Sequence, residues 1–124
     1  TVNQLQSDYK DDVIFIPNRG NFSRGIFATV YTKFDGSLEE AKSIYNNFYK
    51  DAAFTFVSDE EVHLKQVVNS NKCLLHLHKH NNKLLITSAI DNLLKGASGQ
   101  AIHNMNLMFG FEETEGLKLK ANFF

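Results

Sequence analysis

Lys72-Cys73-Leu74-Leu75-His76-Leu77-His78, a bend at His80-Asn81-Asn82, then Lys83-Leu84-Leu85-Ile86-Thr87-Ser88-Ala89-Ile90: this stretch decides the fold class. Two apolar runs of strand length flank an Asn-Asn pair, and asparagine tolerates the backbone angles of a tight turn, so the stretch predicts a β-hairpin. Upstream, Gln66-Val67-Val68 reads as a weaker extended segment, and Phe54-Thr55-Phe56-Val57 as a short strand ahead of acidic Asp59-Glu60-Glu61. Ser37-Leu38-Glu39-Glu40 has the form of a capping box, in which the serine accepts the amide proton three residues on and the glutamate reaches back. The helix it opens should run to about Tyr49 and bury Leu38, Ala41, Ile44, Tyr45 and Phe48. From Arg24 to Phe34 the β-formers dominate, with Ile26, Ala28, Val30 and Thr32 expected to face opposite to Phe27, Thr29, Tyr31 and Lys33. Val13-Ile14-Phe15-Ile16 predicts a strand buried on both faces, followed by the turn-forming Pro17-Asn18-Arg19-Gly20-Asn21. Val2, Leu5 and Tyr9, spaced three and four apart, predict one helical face, and Gly96 to Phe109 predicts a helix closed by Gly110. Strands and hairpins with two principal helices predict an α+β fold: a mixed, largely antiparallel sheet with helices on one face.

The chain has 124 residues, which suits one domain spanning 1–124. It is 43% hydrophobic and 22% charged, the proportions of a globular protein. Thirteen basic against fourteen acidic residues leave a net charge of -1, which gives no polycationic footprint for nucleic acid or an anionic membrane. No apolar run reaches the roughly 18 to 20 residues that span a bilayer. A single cysteine, Cys73, excludes an internal disulfide framework and suits a reducing, cytoplasmic setting. Because the chain begins at Thr1 with what reads as the tail of a helix, it is expected to be a piece of something longer.

Four features bear on chemistry. His76, His78 and His80 lie two apart and would share one strand face, as metal ligands or as a polar outer face. No carboxylate or cysteine completes a ligand set at a recognisable spacing, so no metal site is assigned. Cys73 lies in a strand, without the glycine-rich bend or helix N-terminus that lowers a thiol's pKa, and reads as a buried strand thiol. No catalytic residue is therefore assigned. Asn92-Leu93-Leu94-Lys95-Gly96-Ala97-Ser98-Gly99 links a strand end to a helix start. Glycines there cost helix stability, about 1 kcal/mol each against alanine. Their small size admits either a ligand edge or tight packing within the domain. Asn92, Gly96, Ala97 and Gly99 are the cofactor-binding candidates. Arg24, after a turn and at the start of a long strand, is the substrate-binding candidate, able to clamp a carboxylate or phosphate with its planar fork. The same arginine can equally be a surface charge or a structural ion pair.

Asp91 to Ala101, continuing through Asn104, Asn106, Phe109-Gly110 and Glu115-Gly116-Leu117, resembles the C-terminal part of the N-acetyl-γ-glutamyl-phosphate reductases of arginine biosynthesis. Val13 to Pro17, Gly20-Asn21-Phe22 and Arg24-Gly25-Ile26 look like an earlier motif of the same family, in the same order. The resemblance implies the C-terminal domain of glyceraldehyde-3-phosphate and aspartate-semialdehyde dehydrogenase-like enzymes. It also implies NADPH-dependent reduction of an acyl phosphate to an aldehyde, with phosphate released, in a homo-oligomer. NADP would be bound mainly by an N-terminal domain, because the family's Pro-Gly-Cys nucleophile motif and glycine-rich dinucleotide motif do not occur in these residues. Alone, the fragment should be inactive. Where many relatives have Thr-Pro-His-Leu, this chain has Ile16-Pro17-Asn18-Arg19, which leaves the substrate's acyl group open.

The competing class is a stand-alone self-associating or ligand-binding α+β module, to which eleven Phe and four Tyr would contribute contact surface. On either reading an uncovered sheet face should self-associate, with Phe27, Tyr31, Leu75 and Leu77 as contributors.

Overall fold

The computed structural model describes residues 13–121. The elements run β1 (Ile26–Lys33), α1 (Leu38–Tyr49), β2 (Thr55–Ser58), a 3-10 turn (Leu64–Gln66), β3 (Cys73–His80), β4 (Lys83–Ile90), a π-helical turn (Leu94–Ser98) and α2 (Gly99–Phe109). The sheet order is β1-β4-β3-β2. β1 and β3 both pair antiparallel with β4, while β2 pairs parallel with β3. This is the α+β, mixed and largely antiparallel sheet that the alternation predicts. The helix expected around Val2, Leu5 and Tyr9 lies outside the described residues.

The hairpin sits where its sequence puts it, with His80 paired to Lys83 across a two-residue turn. Asn81 takes the left-handed conformation there, at φ 52°. The register places Leu75, Leu77, Leu84 and Ile86 on one face with Val30 and Thr32. α1 covers part of that face and leaves Val30 and Thr32 exposed, while Ala41, Leu77, Leu84 and Ile86 form the core, flanked by Phe34, Leu38, Tyr45 and Val57. Ser37 Oγ accepts from the Glu40 amide at 3.0 Å and fixes the start of α1. A second cluster, Val62, Val67 and Ala89 with Leu64 and Leu74, covers part of the opposite face. It comes from the connection between β2 and β3, as a parallel pair requires a crossover.

Several expectations fail for identifiable reasons. Ile44 and Phe48 are 52% and 78% exposed. α1 packs over β2 and β3 and turns these two residues outward, with the Phe48 ring edge-on to Tyr49 of the same helix at 4.8 Å. Leu75 and Leu77 are buried, Leu77 in the core with Ala41 of α1, and so cannot contribute an exposed contact face. Gln66 to Val68 is not extended. The Gln66 side chain accepts from the His63 amide at 2.8 Å, the Val68 amide donates to Leu64 O, and the chain turns. Val13 to Ile16 belongs to no strand, and Ile14 and Phe15 are more than four-fifths exposed. No described strand lies beside the segment to accept its hydrogen bonds. α2 begins at Gly99 rather than Gly96, after the π-helical turn, and closes on Gly110 in the left-handed conformation, as predicted. No helix of the described residues is long and apolar enough to cross a membrane.

Candidate functional site

Because Ile26 pairs with Ile90, the residues before β1 and those after β4 leave the sheet side by side. Arg24-Gly25 therefore meets Asp91-Asn92. Arg24 Nη2 lies 3.1 Å from Asp91 Oδ1 and 3.0 Å from Oδ2. The Gly25 amide donates to Asn92 Oδ1 at 2.7 Å. Gly25 adopts φ +118°, where an L side chain is strained, and a Cβ there would also press into Leu64.

Asp91 is fully buried and accepts three further bonds. The Asn69 amide donates to Oδ2 at 2.7 Å, and the Leu93 and Leu94 amides to Oδ1 at 2.8 and 2.9 Å. Asn69 reaches this position in the left-handed conformation, φ 64°. Burial by itself pushes the Asp91 carboxyl upward. The Asn69 and Leu94 amides, the Arg24 guanidinium and the Leu93 amide together outweigh it and hold the group below the usual carboxylate value. The aspartate thus stays charged, with a donor on every side.

The backbone of Asp91 also shapes the glycine-bearing turn. Gly96 N donates to Asp91 O, and Ser98 N to Leu93 O, each at 3.0 Å across five residues. This π-type pattern is rare and is frequent at functional sites. It leaves Gly96, Ala97 and Ser98 exposed. The two glycines then part company. A Cβ on Gly96 would meet only Asp91 O and Ile90 Cδ1, both at an ordinary 3.6 Å. A Cβ on Gly99 would collide with the Asn71 side-chain amide. Gly99, His103 and Asn106 form the inward stripe of α2. His103 Nε2 is 2.8 Å from Glu113 Oε1, and its ring stands edge-on to Phe54. Asn106 Nδ2 donates to Glu113 O and Glu115 O, and Asn71 Nδ2 to Leu117 O, so the segment after Gly110 is tied back.

Of the residues singled out from the sequence, Arg24 and Asn92 come together, Gly96 and Ala97 lie on the exposed turn joined to the same hub, and Gly99 is internal packing. The hub itself, Asp91, is the residue that sequence reasoning missed. Its signal was present: an aspartate at a strand end whose side chain can take the amides two and three residues on is a recognised local motif. His76, His78 and His80 do share a face of β3. His76 Nδ1 lies 3.1 Å from Ser58 O, and His78 and His80 are exposed. Among the described residues no group of three or more His, Cys, Asp or Glu side chains converges as metal ligands would. Cys73 is half-buried, its Sγ 3.6 Å from Ser88 Oγ.

Comparison with known proteins places this sequence in a family. The family profile described as "Semialdehyde dehydrogenase, dimerisation domain" matches residues 1–92. The chain is 74% identical over 121 residues to the N-acetyl-gamma-glutamyl-phosphate reductase of Christiangramia forsetii, covering 98% of this chain and 38% of that protein. It is 61% identical over 120 residues to the enzyme of the same name from Karelsulcia muelleri, covering 97% and 37%. With the Parabacteroides distasonis enzyme the identity is 60% over 124 residues, covering 100% and 38%. The chain therefore spans little more than a third of the length of the curated relatives it matches. On the profile match across residues 1–92, the chain belongs to the semialdehyde dehydrogenase family, through its dimerisation domain.

Proposed function

We propose that this chain is the C-terminal third of an NADPH-dependent N-acyl-γ-glutamyl-phosphate reductase of arginine biosynthesis. In that enzyme it supplies the self-association surface and one wall of the active site, in the cytoplasm. The observation that carries the reading is the 74% identity, over nearly the whole chain, to a relative named for this reaction. NADPH, when bound, would supply the hydride that reduces the thioester formed when a cysteine outside these residues displaces phosphate, giving the aldehyde and releasing the thiolate.

Within this chain, Arg24 holds an anionic group of the substrate with its guanidinium fork. Gly96 and Ala97 admit an edge of the cofactor. Support comes from their exposure and from the fact that the chain's own packing does not require glycine at 96. Gly99 contributes indirectly, by letting α2 close on Asn71. Asn92 spends its Oδ1 on Gly25 and so keeps the Arg24 corner beside the turn. β1 offers apolar contact surface on both sides of the sheet, Ile26 and Val30 on the side of α1 and Phe27 and Tyr31 on the other, each between 45% and 70% exposed.

Steady-state oxidation of NADPH with the acyl phosphate tests the reading. The longer protein should turn over and the 124-residue chain alone should not, because hydride donor, nucleophile and substrate must meet in one site. In the longer protein Arg24→Lys, which keeps the charge and loses the fork, should lower kcat/KM about tenfold. Comparable turnover by the chain alone would overturn the division of roles.

A further inference from the structure

A structural arginine–carboxylate pair usually meets fork to fork, two guanidinium nitrogens against two oxygens. The pair here does not. Both Asp91 oxygens lie about one nitrogen, Nη2, at 3.0 and 3.1 Å. Arg24 keeps 29% of its side-chain surface exposed, while its Nε is buried without a hydrogen-bond partner among the described residues. The carboxylate has no freedom to follow the arginine, since three amides from two separate loops fix it. One residue on, Asn92 fixes the backbone of Gly25. Two consecutive side chains thus hold two consecutive residues, one by its guanidinium and the next by its amide.

We infer that Asp91 and Asn92 are positioning residues for substrate binding: together they aim the exposed part of the Arg24 side chain at the anionic group of the acyl phosphate. The inference rests on the reading that Arg24 contacts the substrate. An arginine on a free rotamer would have to be ordered at each binding event, whereas one held from behind by a fixed carboxylate is already in place. The arrangement is directional. Asp91 is anchored without Arg24, through its amides, but Arg24 is not anchored without Asp91.

That asymmetry sets the experiment, made in the longer enzyme. Arg24→Ala comes first: if it leaves KM for the acyl phosphate unchanged, the contact reading itself fails. If it raises that KM while KM for NADPH stays within twofold, the contact stands and the positioning role can be judged separately. Asp91→Asn and Asn92→Ala should then each raise KM for the acyl phosphate several-fold to tenfold. KM for NADPH should again stay within twofold, and neither change should add to the effect once Arg24 is already alanine. A purely structural role would instead lower kcat or shift both KM values together, and would add to Arg24→Ala; either outcome overturns the inference. Should Asp91→Asn fail to fold, Asn92→Ala decides between the two roles, since it strands no buried charge, and an unchanged acyl-phosphate KM in it overturns the inference.

Discussion

β4 is shared by two strands that could hardly be treated more differently. On one side β3 pairs with it over eight residues, and the pair buries Leu75, Leu77, Leu84, Ile86 and Ala89. On the other side β1 pairs with it over eight residues, and every β1 residue is exposed. The hydrogen-bond ladders are equivalent; the packing is not. A ladder fixes where a strand lies but contributes little net free energy, because water would otherwise satisfy the same groups. Apolar burial is what holds β3 down. β1 is held by its ladder and, at its start, by the polar clasp of Arg24-Gly25 on Asp91-Asn92. It is thus fixed in place while its apolar side chains stay exposed among the described residues.

The largest expected effect comes from emptying the buried half. Leu77 is 1% exposed in the centre of the core under α1. Leu77→Ala should cost about 2–5 kcal/mol, read as a lower urea midpoint at unchanged slope. Val30 lies in the same cross-strand row, since Ile86 pairs with both residues, but it is 52% exposed. Val30→Ala should cost about 0.5 kcal/mol or less, and should show itself instead as weaker self-association by light scattering. Equal losses of stability in the two variants would mean that β1 is packed as β3 is, and the contrast would be gone.

The same contrast explains what could be read from the sequence. The hairpin, α1 and its serine cap, and the Gly110 stop were legible because each is written locally, in a period, a turn pair or a capping residue. Which residues of α1 would be buried was only half legible. Helical spacing says that Leu38, Ala41, Ile44, Tyr45 and Phe48 share a face, but not how far the sheet extends beneath it, and Ile44 and Phe48 lie past the covered part. Val13 to Ile16 has the composition of a buried strand and no described neighbour to make it one. At the candidate site, Arg24 and the glycine turn were each conspicuous. The bonds that join them connect residues 67 positions apart and depend on the register of β1 against β4, which no local pattern encodes.

The two glycines after β4 carry the comparison down to single atoms, and the buried one should have the larger effect. Gly99 faces the Asn71 side chain, whose Nδ2 is committed to Leu117 O at 2.9 Å. A methyl group there must displace that amide or shift α2, because Leu94 O stands only 2.8 Å from the new Cβ. Overpacking of this kind costs about 1–3 kcal/mol. Gly99→Ala should lower stability by that amount and loosen the segment that Asn71, His103 and Asn106 tie back, seen as faster amide exchange around Leu117. An unshifted melting temperature would mean that α2 is not seated as closely as its glycine suggests.

Gly96 should give the smallest effect and the opposite sign. Its backbone is not in the left-handed region, and a Cβ would find only ordinary contacts at 3.6 Å. Alanine there restricts the unfolded chain without straining the folded one, which stabilises by about 0.4–1 kcal/mol. Gly96→Ala should therefore raise the melting temperature of the 124-residue chain slightly. A glycine whose replacement stabilises the fold is one that folding does not require, which on the proposed function leaves it to the cofactor edge approaching the turn. In the longer enzyme the same variant should raise KM for NADPH severalfold and leave KM for the acyl phosphate nearly unchanged, the reverse of the pattern expected for Asn92→Ala. If Gly96→Ala stabilises the chain and leaves both constants alone, the cofactor edge does not reach this turn. If it destabilises the chain, the π-helical turn itself depends on the glycine and its exposure carries no argument about a ligand.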